Sequence, residues 1–259
     1  MIDLHTHILP SVDDGAKDLS ESLEIGREAM RQGVTKIVTT PHYLEGEYEL
    51  SFKELQDRVV ALQEEFDREG IEIELLTGSE VYLTADLAKK AKDGKLTTIN
   101  GTKYLLIEFS MRSMPSYVDD VLYDLNALGY KPIIAHPERY FEIMEDPNIL
   151  YNWVEGGVLA QLNGGSLLGQ FGTKVKETAE ILVEHNLVQL IGSDLHSNRY
   201  RKECLEESYK ALEGLIGDRH KKFLVNTENV VEGKDVEVNP ILYKIKSGVF
   251  GRFKKALGF

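Results

Sequence analysis

Two short runs place ionisable side chains at a spacing that can grip a cation: His5-Thr6-His7 near the start and Asp194-Leu195-His196 near the end. In extended backbone, side chains two apart point the same way, so each pair offers two lone-pair donors to one ion. Between them lie Asp13-Asp14, His42 after Pro41, Glu80, Glu108, and His136 before Pro137 with Arg139 beyond it. Any one of these histidines, taken singly, reads as a packed or turn histidine, and a lone His-x-His is a weak signal. Taken together they are harder to explain that way. Several carboxylates gathered in one place would repel and raise one another's pKa. Multivalent cations remove that repulsion, so the joint reading is a metal centre.

The ligand candidates are His5, His7, Asp14, His42, Glu80, Glu108, His136, Asp194 and His196. At about three or four protein ligands per catalytic ion, this set is too large for one and suits two or three. Imidazole and carboxylate without thiolate favours manganese, iron or zinc over soft-metal chemistry.

Something must bring these positions together. Short β-rich runs at Ile2–His5, Lys36–Thr40, Ile71–Leu76, Tyr104–Phe109, Lys131–Ala135, Val158–Leu162 and Leu187–Ile191 alternate with longer amphipathic stretches. Phe52, Leu55, Val59, Leu62 and Phe66 recur at steps of three and four through Phe52–Glu69, a helical stripe. Leu19–Gln32, Tyr117–Leu128, Val175–His185 and Arg199–Leu215 read as further helices, with Gly33, Gly70, Gly129 and Asn186 at expected C-caps. Phe223–Val231 is ambiguous, and Pro240–Lys255 reads as a last helix with a basic end at Arg252, Lys254 and Lys255. Alternating β and α predicts a parallel sheet, open or closed into a barrel. In a closed barrel every ligand candidate falls at or just after the C-terminal end of a strand, the face where active sites form. His185 and His220 fall elsewhere and are given no role.

Composition narrows the function classes. The chain has 259 residues, 42% hydrophobic and 28% charged, with net charge −13, which disfavours general affinity for nucleic acid. No apolar run exceeds four residues, at Val59–Leu62 and Tyr104–Ile107, far short of the roughly 20 that a membrane-spanning helix needs. One cysteine, Cys204, excludes an internal disulfide and suits a reducing cytoplasm. A cysteine-based phosphatase needs an arginine six residues after the nucleophile; Cys204 has Lys210 there, inside a helical pattern. Gly164-Gly165 after Asn163 lacks the Lys-Ser/Thr of a phosphate cradle and reads as a rim turn, with Asn163 behind the ligands. Tyr43, Tyr48, Tyr117, Tyr140 and Tyr200 stand near the rim, where packing roles are the default and stacking on a substrate ring the alternative.

The ordered set His5-Thr6-His7 with Ile8–Ala16, Thr39-Thr40-Pro41-His42, Gly78-Ser79-Glu80, Glu108, Ala135–Tyr140 and Gly192–His196 resembles the PHP (polymerase and histidinol phosphatase) superfamily over about residues 1–201. More narrowly it is similar to the bacterial metal-dependent protein-tyrosine phosphatases of the CpsB/YwqE type. That resemblance implies a distorted (β/α)7 TIM-like barrel as a single α/β domain spanning 1–259. It also implies a trinuclear site, manganese foremost with iron, zinc, magnesium or cobalt as alternatives, acting on a phosphotyrosine-bearing bacterial tyrosine kinase of capsule or exopolysaccharide synthesis, or on that kinase's substrates. Carried over by motif, His5, His7, Glu80 and Asp194 would hold one ion, with Glu80 bridging to a second completed by Glu108 and His136. Asp14, His42 and His196 would hold the third, with Asp13 the rival to Asp14. Arg139 and Arg201 match phosphate-binding positions, with Arg199 the rival to Arg201.

The chemistry expected of such a site is hydrolysis of a phosphomonoester by an ion-activated hydroxide in line with the departing phenolate. Arg139 and Arg201 would balance charge on the phosphoryl oxygens, and His42 or His196 would polarise a water. Two alternatives keep the metals: a small-molecule phosphatase such as histidinol phosphatase, and a non-catalytic metal-binding regulatory domain. The intact ligand set argues against the second, and the compact length without a lid insertion against the first.

Overall fold

A computed structural model describes residues 1–197, 199 and 201–244. Its strands are β1 (Ile2–Thr6), β2 (Lys36–Thr39), β3 (His42–Tyr43), β4 (Glu74–Thr77), β5 (Glu80–Tyr82), β6 (Tyr104–Glu108), β7 (Lys131–Ala135), β8 (Leu159–Asn163) and β9 (Leu190–Gly192). Ladders are parallel, in the orders β1-β2-β4 and β3-β5-β6-β7-β8-β9. Seven strand positions result, because β2 and β3 continue one another across Thr40-Pro41, as β4 and β5 do across Gly78-Ser79. Pro41 has no N–H for a ladder, yet its carbonyl accepts from Glu80 N at 3.0 Å, so the path holds together across the break. The ring closes where Thr6 bridges Leu195 in parallel and Asp194 N donates to His5 O at 2.8 Å. The expected barrel is therefore present, with its distortion at the β4–β6 seam. There β4 ends the three-stranded sheet, and a 3-10 turn at Ile99–Gly101 enters the gap.

The helices are α1 (Leu19–Arg31), α2 (Phe52–Arg68), α3 (Leu87–Lys92), α4 (Val118–Ala127), α5 (Phe141–Glu145), α6 (Asn148–Glu155), α7 (Gly164–Leu167), α8 (Thr173–Glu184), α9 (Leu205–Ile216) and α10 (Lys221–Val231). No helix among the described residues is long and apolar enough to cross a membrane. The α2 stripe behaves as its spacing predicts: Leu55, Val59, Leu62 and Phe66 are buried, and Ser51 with Glu54 forms a capping box at its start, a device that contributes about 1 kcal/mol. Its first member, Phe52, is 46% exposed and stays outside the core. Gly33, Gly70, Gly129 and Asn186 all adopt positive φ at helix ends, as expected of C-caps.

Two apolar layers result. One lies between strands and helices; the other, with Leu4, Val38, Leu106, Ile133 and Leu159, fills the barrel and includes Ile99 of the turn with Val230 and Val231 of α10. The ambiguous segment is thus a helix that helps close the inner core. Three expectations are corrected. The strand expected at Ile71–Leu76 is Glu74–Thr77, because Ile71 and Ile73 are buried in the helix-facing layer before the ladder begins. The helix expected over Arg199–Leu215 starts only at Leu205, where Glu203 Oε1 accepts the free N–H groups of Cys204 and Leu205. Residues 240–244 of the expected last helix are not helical, and the remainder, with Arg252, Lys254 and Lys255, lies outside the described residues.

Candidate metal centre

The ligand candidates meet at the C-terminal end of the barrel. β1 delivers His5 and His7 through an irregularity: Asp3 pairs with Ile37 but Thr6 with Thr39, so β1 carries one residue more than β2 over that stretch. Such a bulge re-aims a side chain, and His5 joins its neighbour Leu4 on the inner side, where it meets Gln161 of β8. His136 and Asp194 follow the ends of β7 and β9 with φ of 36° and 52°, a left-handed backbone that costs non-glycine residues about 1–3 kcal/mol. Strain of that size at two donor positions marks a site that the surrounding fold holds in place.

Glu80 is the hub. Its Oε2 lies 3.2 Å from His5 Nε2, 3.3 Å from His7 Nε2 and 3.2 Å from His42 Nδ1, while Oε1 lies 2.9 Å from His136 Nε2. Glu108 Oε1 lies 2.9 Å from His42 Nδ1. Asp14 Oδ1 lies 3.4 Å from His42 Nε2 and 3.3 Å from His196 Nε2. Asp194 Oδ1 faces the Nε2 atoms of His5 and His7 at 3.6 Å each. The donor atoms fall into three overlapping groups that could each hold an ion: His5, His7 and Glu80; His42, Glu80 and Glu108; and His7, Asp14, His42 and His196. These groups cut across the partition implied by resemblance, since Glu108 stands with His42 and His7 is shared.

Electrostatics fit a cation. Burial lowers the pKa of His42, but hydrogen bonds to Asp14 and Glu108 and the charge of Glu80 outweigh it and push it up to about 12. Burial likewise opposes His7, yet Asp13 and Glu80 carry it up to about 9. Glu80, though buried, is held well below the usual carboxylate range by His5, His136 and His7. A site that holds protons this firmly presents a strong negative potential, and a divalent ion competes for the same lone pairs. His196 is lowered instead, by burial and by neighbouring His7. Buried His136 Nδ1 and Asp194 Oδ1 have no hydrogen-bond partner, an expensive arrangement unless something else satisfies them. The residues present fit divalent ions.

Behind the donors are groups that fix their tautomers. Asp13 Oδ2 lies 2.7 Å from His7 Nδ1 and accepts from His42 N at 3.0 Å, and its Oδ1 accepts from Gly15 N at 3.0 Å. Asp13 is therefore occupied behind His7, and Asp14 is the one that joins a donor group. Gln161 Oε1 lies 2.7 Å from His5 Nδ1, with its amide donating to Leu162 O at 2.6 Å. Both arrangements leave Nε2 turned to the cluster, where an ion that displaces its proton finds a lone pair. Sequence reasoning missed Gln161, although it shares an inward face with Asn163, two residues on. Asn163 Nδ2 donates to Asp194 Oδ2 at 2.6 Å, as its expected place behind the ligands requires.

The arginines adjoin the cluster. Arg139 donates to Asp194 Oδ2 at 3.2 Å, and Arg201 contacts the same oxygen and donates to His196 Nε2 at 2.9 Å. Arg199 is exposed, and its amide bonds Ser197 Oγ. Cys204 is buried, and burial pushes its thiol up to about 12, unsuited to a nucleophile. Among the rim tyrosines, Tyr140 is core, its hydroxyl accepting from Phe109 N at 3.2 Å. The Tyr48 ring lies 5.8 Å from that of His42, stacked on it. Tyr43 sits in β3 and Tyr117 just before α4, both part-buried, while Tyr200 lies outside the described residues.

Comparison with known proteins now places this arrangement. The family model for capsular polysaccharide synthesis, CpsB/CapC, matches residues 1–232. The chain belongs to the CpsB/CapC family. Within it, the tyrosine-protein phosphatase YwqE of Bacillus subtilis is 36% identical over 98% of this chain and 100% of its own length. The tyrosine-protein phosphatase CpsB of Streptococcus agalactiae serotype III is 33% identical over 90% and 98%. A crystal structure from a study of YwqE from B. subtilis and CpsB from Streptococcus pneumoniae, described as unique metal-dependent tyrosine phosphatases, superposes with a TM-score of 0.91 at 36% identity. It covers 94% of this chain and 100% of that one. A β-aspartyl dipeptidase from Fervidobacterium islandicum, at a TM-score of 0.52 and 15% identity, shares the fold alone.

Proposed function

We propose that this CpsB/CapC-family chain is a metal-dependent protein-tyrosine phosphatase acting on a phosphotyrosine-bearing bacterial tyrosine kinase of capsule or exopolysaccharide synthesis, or on that kinase's substrates, in the cytoplasm. The observation that carries it is the convergence of His5, His7, Asp14, His42, Glu80, Glu108 and His196 in three donor groups on one barrel end, with His136 and Asp194 against them and two arginines beside. Relatives of full matching length that are named tyrosine-protein phosphatases support the substrate class.

These nine side chains would hold two or three divalent ions, manganese first among them. Bound ions supply Lewis acidity, making water a nucleophile near neutral pH and drawing charge from a phosphoryl group. The chain's own residues do the rest. Asp13 and Gln161 keep a proton on Nδ1 of His7 and of His5, so that each Nε2 stays a donor. Arg139 and Arg201 present planar, permanently charged forks to the phosphoryl oxygens. His42 and His196 flank Asp14 at 3.4 and 3.3 Å, and whichever is not bound to an ion would polarise a water beside the departing phenolate. A tyrosine phenolate, with a parent pKa near 10, departs without a strong general acid.

Elemental analysis of chelator-free protein, joined to turnover of a phosphotyrosyl peptide against histidinol phosphate, tests the reading. Two to three ions per chain and preference for the peptide are expected. Preference for histidinol phosphate would replace the protein substrate with a small one, and absence of hydrolysis with manganese present would indicate a regulatory domain.

A further inference from the structure

Arg139 does not stand alone at the rim. Its guanidinium carbon lies 4.5 Å from the centroid of the Phe171 ring, which carries it as a platform while the other side reaches Asp194. Phe171 sits in the turn between α7 and α8, and that turn is built rather than loose. Gln170 N donates to Gly165 O at 3.0 Å, and Gly169 N to Ser166 O at 3.1 Å. A Cβ on Gly165 would come within 3.2 Å of the Phe171 ring and 2.6 Å of Gln170 Oε1, so the glycine leaves room for both side chains to pack close over α7. The turn is also tied to the arginine's own segment. Fully buried Glu138, the residue before Arg139, accepts from Asn163 N at 3.2 Å and from Ser166 Oγ at 2.6 Å.

We infer that Phe171 is a positioning residue for phosphate recognition: its ring fixes the plane of the Arg139 guanidinium so that the fork faces the phosphoryl oxygens. The inference rests on the proposed role of Arg139 in phosphate binding. Arginine has a long side chain with several rotamers, and each one frozen beforehand is an ordering cost removed from binding. The aromatic face supplies the hold, because a guanidinium over a ring is attracted by its quadrupole, which an aliphatic side chain of similar bulk lacks.

The experiment compares Phe171→Leu, Phe171→Tyr and Arg139→Ala in the metal-loaded protein, measuring metal content, KM and kcat on a phosphotyrosyl peptide, and the dissociation constant of inorganic phosphate. Phe171→Leu is expected to weaken phosphate and raise KM by about three- to tenfold, from the strength of such contacts, with kcat and metal content near wild type. Phe171→Tyr, which keeps the ring, is expected to stay within twofold. If Leu binds phosphate as well as Phe, or if Tyr fails as badly as Leu, the platform role is wrong. Loss of metal in Phe171→Leu would also overturn it, because the residue would then act on the ligand frame. Arg139→Ala separates the two readings: if it binds phosphate like wild type, the assignment of Arg139 itself fails, whereas weak binding in Arg139→Ala with normal binding in Phe171→Leu removes only the present inference.

Discussion

Asp13→Asn is a nearly isosteric change whose outcome follows from the hydrogen bonds around one carboxylate. Asp13 meets donors at both oxygens: His7 Nδ1 at 2.7 Å and His42 N at 3.0 Å on Oδ2, and Gly15 N at 3.0 Å on Oδ1. An asparagine has a single acceptor and cannot serve both sides. With its oxygen kept toward His7, the new NH2 faces Gly15 N–H, donor against donor. With the amide flipped, NH2 faces His7 Nδ1, and the imidazole proton moves to Nε2, the atom that belongs to the donor groups. Either way the cost falls on ion binding. Loss of a hydrogen-bond partner behind a metal-ligating histidine costs about 10- to 100-fold in affinity or activity, equivalent to about 1.4–2.7 kcal/mol. Competition for manganese against a fluorescent chelator reads this directly, with Asp14→Asn as the comparison that removes a donor outright. Affinity for every ion within twofold of wild type in Asp13→Asn would refute the tautomer argument. Greater metal loss in Asp13→Asn than in Asp14→Asn would reverse the roles given to the two aspartates.

Other consequences are simpler to state. His136→Ala is expected to cut turnover by orders of magnitude with loss of bound metal, while Arg139→Ala keeps its metal; equal loss in both, by elemental analysis, would contradict the division of roles. Burial, joined by the charge of nearby Asp3, raises the Glu203 carboxyl from its ordinary value of 4.5 to about 8. Between those values the folded chain holds a proton that the unfolded chain releases, so this group's contribution to stability falls as pH rises, by up to about 1.4 kcal/mol per pH unit. Glu203→Gln stays neutral, and its Tm relative to wild type is expected to climb from pH 5 to pH 8; parallel curves would exclude the effect. A Cβ at Gly26 would meet Phe66 Cζ at 2.4 Å where α1 packs on α2. Overpacking of about 1–3 kcal/mol exceeds the roughly 1 kcal/mol that alanine gains in a helix, so Gly26→Ala is expected to lower Tm, and a rise would show that Phe66 moves aside freely.

How much was legible before folding depends on the range of the interaction concerned. The β/α alternation, the α2 stripe and the C-caps are local periodicities, and every donor in the cluster is a residue type whose chemistry is visible in the chain itself. Position after a strand end was enough to collect donors from His5 to His196 on one face, because parallel strands in a closed barrel leave no other place for them. The late start of α9 was not legible, since Arg199–Glu203 has helical composition and only the side-chain oxygen of Glu203 at the cap decides where the helix begins. Nor was the break of the second and third strands, where the ring parts at the β4–β6 seam and Ile99 of the intervening turn packs with Val230 and Val231 of α10.

The list of donors, then, belongs to the sequence, and their partnership belongs to the fold. Asp13 and Asp14 are chemically identical neighbours, and only the direction of each side chain against His7, His42 and His196 makes one an orienting acceptor and the other a donor. The same holds for Arg199 and Arg201, for Gln161 behind His5, and for Phe171 under Arg139, 32 positions along the chain. Hydrogen bonds and ring contacts act over a few ångström and depend on angle, so tertiary packing alone chooses which residues make them.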